Sequence, residues 1–330
     1  MDEIGLAQLA EIVGGQLRGG NPAQKFVGHV GVHSDAVRAG GAFVALPGAR
    51  TDGHEFVGRA IADGAGVAIV ASHAADVLAA QVEPLIVVEN PLTALRALAA
   101  WWRAQLRGTF VAITGDVGKT LIKDALLHFL GSGFSAYGGT GGTDRVVGVA
   151  LSILDCPREA GLAVIEAAAT EPGDMLQHLS LIRPDHLILT NVGVRWPANF
   201  EKAVEQAREL VKVVDEMSSS GWLLTGNVDP MLERVTESLR ARRYSLGKTL
   251  ALPVFSASRR DADMITKQVV FPDGEAGLLR VRTSLEHLAG DVEVALVGAW
   301  LLGVPSGALV EALEAYRPEG HDVPSARMST

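Results

Sequence analysis

Residues 109–120, Thr-Phe-Val-Ala-Ile-Thr-Gly-Asp-Val-Gly-Lys-Thr, constrain the fold more than any other stretch of the chain. An apolar strand runs into a glycine turn, and the turn opens a helix. That order brings backbone N–H groups and the positive end of a helix dipole to one point, where an anion can sit. Gly115 and Gly118 let the backbone approach closely beyond Thr114. Lys119 is placed to neutralise β- and γ-phosphates, and the Thr120 hydroxyl to reach Mg²⁺. The spacing is the short T-G-x-x-G-K-T form, because Ile113 stands where the longer form has its first glycine. Asp116 opposes this reading, since a carboxylate inside an anion loop weakens phosphate binding unless it points outward. The competing reading is an ordinary strand–turn–helix junction with a lysine at the helix start.

The rest of the chain suits such a loop. The strand runs 162–168, 186–192 and 222–225 are of the kind buried on both faces, and helices are expected at 174–182, 200–217 and 229–240. This alternation predicts an α/β fold with a mainly parallel sheet and right-handed crossovers. Before it, a helix at 2–13, strands at 26–32, 42–46, 67–71 and 84–89, and a helix at 56–62 form a small α/β unit. A long Ala/Leu helix at 91–106, carrying Trp101 and Trp102, connects the two. Short alternating strands at 254–258, 265–271 and 277–283 follow, with Pro272-Asp273-Gly274 as a hairpin turn. Helices at 289–302 and 306–315 close the pattern. The expected organisation is a small N-terminal α/β domain over 1–85, a larger phosphate-loop domain over 86–316 and a tail over 317–330.

Charge and cysteine content narrow the function. Lys+Arg 29 against Asp+Glu 38 leaves no basic excess for nonspecific nucleic-acid binding. One cysteine, Cys156, excludes a disulfide framework and a Cys-rich zinc site. The acidic N-terminus is not a signal peptide, and no apolar run spans a membrane, so the expectation is a cytoplasmic protein. Arg240-Ala-Arg242-Arg243 reads as a basic helix end, and Cys156 as a buried thiol.

Further motifs tie these pieces to one family. His33-Ser34-Asp35, Gly41-Ala-Phe-Val-Ala-Leu-Pro-Gly48 and Asp52-Gly-His-Glu-Phe56 precede the loop. Val164-Ile-Glu166, Glu171-Pro-Gly-Asp-Met175 and Thr190-Asn-Val-Gly193 follow it. Together they resemble the Mur ligases, the ATP-dependent amino-acid ligases of peptidoglycan precursor synthesis, over about residues 1–316. The resemblance implies that Ser34, Asp35 and His54 lie by the substrate, a carboxylate that is UDP-linked in the family. It implies that Thr114, Gly115, Gly118, Lys119 and Thr120 hold ATP, with His287 and Asp291 near the base. Thr120 and Glu166 then hold Mg²⁺. A turn and helix cap is the plain alternative for Asp52–His54, and a solvated strand end for Glu166.

This sequence departs from the family at the chemistry. Asp35 replaces an arginine, and Asp144-Arg145 replaces a pair of asparagines. Asp291 replaces an asparagine, and Trp196 stands in place of a metal-binding histidine. Arg208 stands where the family has a carbamylated lysine; a guanidinium cannot form that carbamate but stays cationic. The family's third domain is expected to be absent. Catalysis would then rest on Lys119, Glu166 and Arg208, and a homodimer or partner subunit would cover exposed surfaces. Three readings stay open: a divergent ligase serving a specialised pathway, a different ATP-linked step such as carboxylate phosphorylation, and a degenerate homologue that binds a ligand or partner without turnover.

Overall fold

The computed structural model describes residues 1–48, 51–140, 146–168, 171–191, 205, 208, 209, 217, 220–226, 236, 242–249, 251–261 and 263–317, the side chains of Ser132 and His287 excepted. Asp144, Arg145, Trp196, nearly all of the helices expected at 200–217 and 229–240, and the tail from 318 lie outside the described residues. The chain divides into two compact units, residues 1–110 with 139–184, and 111–138 with 185–330.

The first unit begins with β1 (Ile4–Gly5), α1 (Leu6–Ile12), β2 (Gln16–Arg18), β3 (Lys25–Phe26) and β4 (Val30–Gly31). It continues through β5 (Ala42–Val44), α2 (Val57–Ala62), β6 (Val67–Ala71), α3 (Ser72–Ala79), β7 (Leu85–Val88) and α4 (Pro91–Gln105). Strands β2-β7-β6-β5-β4 form one sheet, in which β4 to β7 pair in parallel and β2 runs antiparallel to β7. β6 reads Val-Ala-Ile-Val-Ala and is buried throughout, as a parallel strand covered on both faces requires. α4 starts with Pro91 behind an Asn90 cap, whose Oδ1 accepts from the Thr93 N–H at 3.0 Å. Trp102 is fully buried and its Nε1 donates to the Cys156 carbonyl at 3.0 Å, so this tryptophan is a packing residue. Burial pushes the Cys156 thiol up to about 12, which leaves it inert.

β8 (Thr109–Thr114), α5 (Lys119–Leu130), β9 (Ala136–Gly138), α6 (Val146–Asp155), β10 (Leu162–Glu166), α7 (Asp174–Ile182), β11 (His186–Leu189), β12 (Trp222–Thr225) and β13 (Arg242–Ser245) come next. In the second unit the strands stand in the order β13-β12-β11-β8. Within the second unit, β8–β11, β11–β12 and β12–β13 are all parallel. Among the described strands Arg242 and Arg243 therefore lie on an edge strand, and the helix-end reading of these two residues is corrected. Charge on an edge strand discourages pairing with another chain.

The second unit ends with a four-stranded antiparallel sheet of β14 (Val254–Phe255), β15 (Arg259–Asp261), β16 (Met264–Val270) and β17 (Ala276–Arg282), followed by α8 (Ala289–Leu301) and α9 (Ser306–Ala315). Ile265, Val269, Leu279 and Val281 alternate to the buried face of the hairpin. A Cβ on Gly277 would meet Leu313 and Val310 of α9 at 3.2 and 3.3 Å, which shows how closely α9 lies on that face. Among the described residues no helix is long and apolar enough to cross a membrane.

Candidate functional site

The loop after β8 is shaped by its glycines. Gly115 has φ +128 and Gly118 φ +86, a region that favours glycine. A Cβ on Gly115 would lie 2.1 Å from Thr190 Oγ1. Thr114 is fully buried at the end of β8, and Gly118 caps the first turn of α5. Lys119 is 6% exposed; its ammonium donates to the carbonyls of Gly115 (2.7 Å) and Asp116 (3.3 Å). Thr120 follows in the first turn, half-buried.

β11 holds the other side of this loop. Thr190 Oγ1 donates to the Val117 carbonyl at 2.7 Å, and Asn191 Nδ2 donates to the same oxygen at 3.2 Å. Asn191 Oδ1 accepts from the Val117 N–H at 3.2 Å, and its carbonyl accepts from the Asp116 N–H at 3.3 Å. Two loop N–H groups are thus committed to Asn191. The sequence motif around Thr190 and Asn191 is visible, but their bonds to the loop arise only from the β8–β11 pairing.

Two carboxylates meet the loop. Asp116 is 3% exposed, so it is buried and does not point outward as phosphate binding was expected to require. Asp291, in the first turn of α8, places Oδ2 2.6 Å from where a Gly118 Cβ would be. The resemblance put Asp291 near the base; here it abuts the loop. Glu166 ends β10 and is buried, and Arg208 is exposed.

The first unit carries a cleft of about 540 Å³. The segments after β4 and β5 line it, at the carboxyl ends of parallel strands, where open α/β sheets take ligands. Ser34 and Asp35 are in its wall, with Phe43, Thr51, Arg59 and Val147. Arg59, Thr51 and Val147 were not singled out in the sequence, because they converge only through the fold.

His54 is not part of that wall. It is buried, and its Nδ1 lies 2.6 Å from Asp52 Oδ1 while its Nε2 accepts from the Ala71 N–H at 2.9 Å. Nδ1 therefore carries the proton. The His54 N–H and ring hold the Asp52 carboxyl below the ordinary range. His73 lies near enough to suggest a three-ligand metal cluster. Both His54 nitrogens are already bonded within the chain, so the ring ties the 53–56 turn to the end of β6.

Residues 27–103 match the family model described as Mur ligase family, catalytic domain, a span that ends before the phosphate loop. The chain is similar to proteins of the Mur ligase family. Within that group it resembles UDP-N-acetylmuramoyl-tripeptide–D-alanyl-D-alanine ligases: that of Escherichia coli (strain K12) is 29% identical over 221 residues, 67% of this chain and 47% of that protein. MurF from Acinetobacter baumannii has the same fold, with TM-score 0.82 and 23% identity over 96% of this chain and 69% of that one. MurF ligase from Thermotoga maritima, solved in complex with ADP, gives TM-score 0.69 and 24% identity over 86% and 65%. The chain spans about half the length of the curated relatives it matches.

Proposed function

We propose that this chain is a divergent Mur-ligase-like protein that binds ATP and activates a carboxylate for amide-bond formation in a specialised pathway. The observation that carries this reading is the strand–loop–helix itself. Gly118 at φ +86 opens the twelve-residue α5 with a lysine ammonium inside the loop. These features fit the phosphates of a nucleotide in backbone shape and in cation. Thr114, Gly115, Gly118, Lys119 and Thr120 are assigned to the phosphates, and His287 to the rest of the nucleotide. The Thr120 hydroxyl and Glu166 carboxylate are assigned to Mg²⁺, which takes hard oxygen donors. Arg208 is assigned to the charge that develops on the phosphoryl group. The ADP of the Thermotoga relative supports the nucleotide assignment.

For the carboxylate substrate we assign the N-terminal cleft, with Ser34 and Asp35 in its wall. Arg59 gives that wall a guanidinium, the kind of group that Asp35 removes relative to the family. A UDP-linked acid is the substrate class that the relatives' name suggests. Association with a second copy or a partner subunit belongs to the same proposal, and light scattering tests it.

A second reading, ligand or partner binding without turnover, draws on Asp116 and Asp291. Both put negative charge at the loop that would hold phosphate. Calorimetric titration of Mg-ATP into the wild-type chain and Lys119→Ala separates the two. The ligase reading expects binding that the variant weakens by about tenfold or more. A folded wild-type sample that takes up no Mg-ATP would sink it.

A further inference from the structure

A cleft of about 270 Å³ in the second unit is lined by Met264, Arg280, Arg282, Leu313, Tyr316 and Arg317. It joins β17, paired among the described strands only with β16, to the C-terminal end of α9. Among the described residues Glu314 is its one acidic residue. Three arginines against one glutamate stand out in a chain of net charge -9.

The basic residues of this sheet are not all alike. Arg260 pairs with Glu286, and Lys267 with Glu293. The side chains of Arg280 and Arg282 make no hydrogen bond or ion pair among the described residues. They stand two positions apart on β17 and so share its exposed face, opposite the one that Leu279 and Val281 bury, and like charges there repel. Arg317 is fixed differently. One of its terminal nitrogens donates to the carbonyls of Glu314 (2.8 Å) and Tyr316 (2.9 Å), at the end of α9. A guanidinium has five donors, so that anchoring leaves others for a ligand. Met264, Leu313 and Tyr316 give the cleft an apolar wall. Tyr316 is held against Phe129 and His128, with ring centroids 5.2 and 5.1 Å away.

We propose that this cleft binds a small organic anion: a phosphate monoester or carboxylate carried on an apolar or aromatic body. Arg280, Arg282 and Arg317 hold the anionic group, and Met264, Leu313 and Tyr316 hold the body. Guanidinium forks match the planar or tetrahedral oxygens of such groups better than a point charge does. The volume lies just under the range of about 300–1,000 Å³ usual for small-molecule sites, which limits the ligand to a compact one.

The test is titration of phenyl phosphate, benzoate and phenol into the full chain. The proteins are wild type, Arg280→Gln/Arg282→Gln, Glu314→Gln and Lys119→Ala. Phenyl phosphate or benzoate is expected to bind at least about tenfold tighter than phenol, and the paired arginine variant to lose about tenfold or more of that affinity. Glu314→Gln is expected to tighten binding by about two- to fivefold, and added salt to weaken it. Lys119→Ala should leave it unchanged. Tighter binding of phenyl phosphate than benzoate assigns the site to phosphate monoesters, and the reverse to carboxylates. Equal binding by wild type and the folded arginine pair, loss of binding in Lys119→Ala, or no binding by folded wild type overturns the proposal.

Discussion

The phosphate loop and the arginine cleft offer an anion opposite things. The loop has the backbone for it: two glycines at positive φ, the start of α5 and a lysine in the first turn. Its charge is nevertheless opposed, because the Lys119 ammonium bonds to the loop's own carbonyls while Asp116 and Asp291 lie against the loop. The cleft has no motif and no helix N-terminus. It has guanidiniums that no described carboxylate pairs. A motif therefore reports where a backbone can cradle an anion, and the surrounding charges decide how well it does so.

The most damaging way to test this contrast is Gly115→Val. Its Cβ would lie 2.1 Å from Thr190 Oγ1 and 2.9 Å from the Asn191 carbonyl, at φ +128. Strain and overpacking together should cost about 3–5 kcal/mol and lower Tm by about 10 °C in a thermal melt. Mg-ATP binding should vanish while phenyl phosphate binding to the cleft persists. If both vanish from a folded variant, the two regions are a single anion site and the contrast fails.

Asn191→Ala should rank next. It removes the acceptor for the Val117 N–H and a donor to the Val117 carbonyl. Chemical denaturation should report a loss of about 1–2 kcal/mol. Asp291→Asn should act in the other direction, on binding. With the negative charge beside Gly118 removed, Mg-ATP affinity should rise about three- to tenfold, or roughly 0.7–1.4 kcal/mol. Unchanged affinity would mean that Asp291 does not face the phosphates, and the charge argument for the loop would have to rest on Asp116.

The sequence carried the architecture further than the site. β8, the loop and α5 are legible because T-G-x-x-G-K-T leaves little freedom to the chain, and the apolar runs of β6 and β11 declare a parallel sheet. α6 is not legible. Its residues Val-Val-Gly-Val-Ala-Leu-Ser-Ile-Leu-Asp are buried or half-buried at every position, so no polar stripe marks a helical period. Arg242 and Arg243 look like a helix end because charge there complements a dipole, yet parallel pairing with β12 makes them strand. At the site, Ser34 and Asp35 do reach one cleft. His54 does not, since its two ring bonds depend on where Ala71 ends β6, a fact of packing rather than spacing. Asp291 and Asn191 meet the loop for the same reason. The arginine cleft joins residues from β16, β17 and the end of α9, spread over about fifty positions, which no local pattern could announce.

The gentlest test uses pH. His186 begins β11, the strand that leads to Thr190 and Asn191, and it stacks on Trp222 with centroids 4.4 Å apart. Its Nδ1 accepts from the Trp222 N–H at 3.3 Å, and burial lowers its pKa below the usual 6.5. Between the lowered folded value and 6.5, the unfolded chain binds more protons than the folded one. Stability from this group is therefore complete above the unfolded pKa and is lost as pH falls below it. The ring is only half-buried, so the effect should stay under about 1 kcal/mol. Denaturation of wild type and His186→Gln at pH 7.5 and 5.0 should show a steeper loss in the wild type. Phenyl phosphate binding should lack this His186-dependent step, because His186 is not among the residues that line the cleft. A pH step in cleft binding that disappears in His186→Gln would show that the loop sheet and the cleft respond as one, and the contrast between them would be lost.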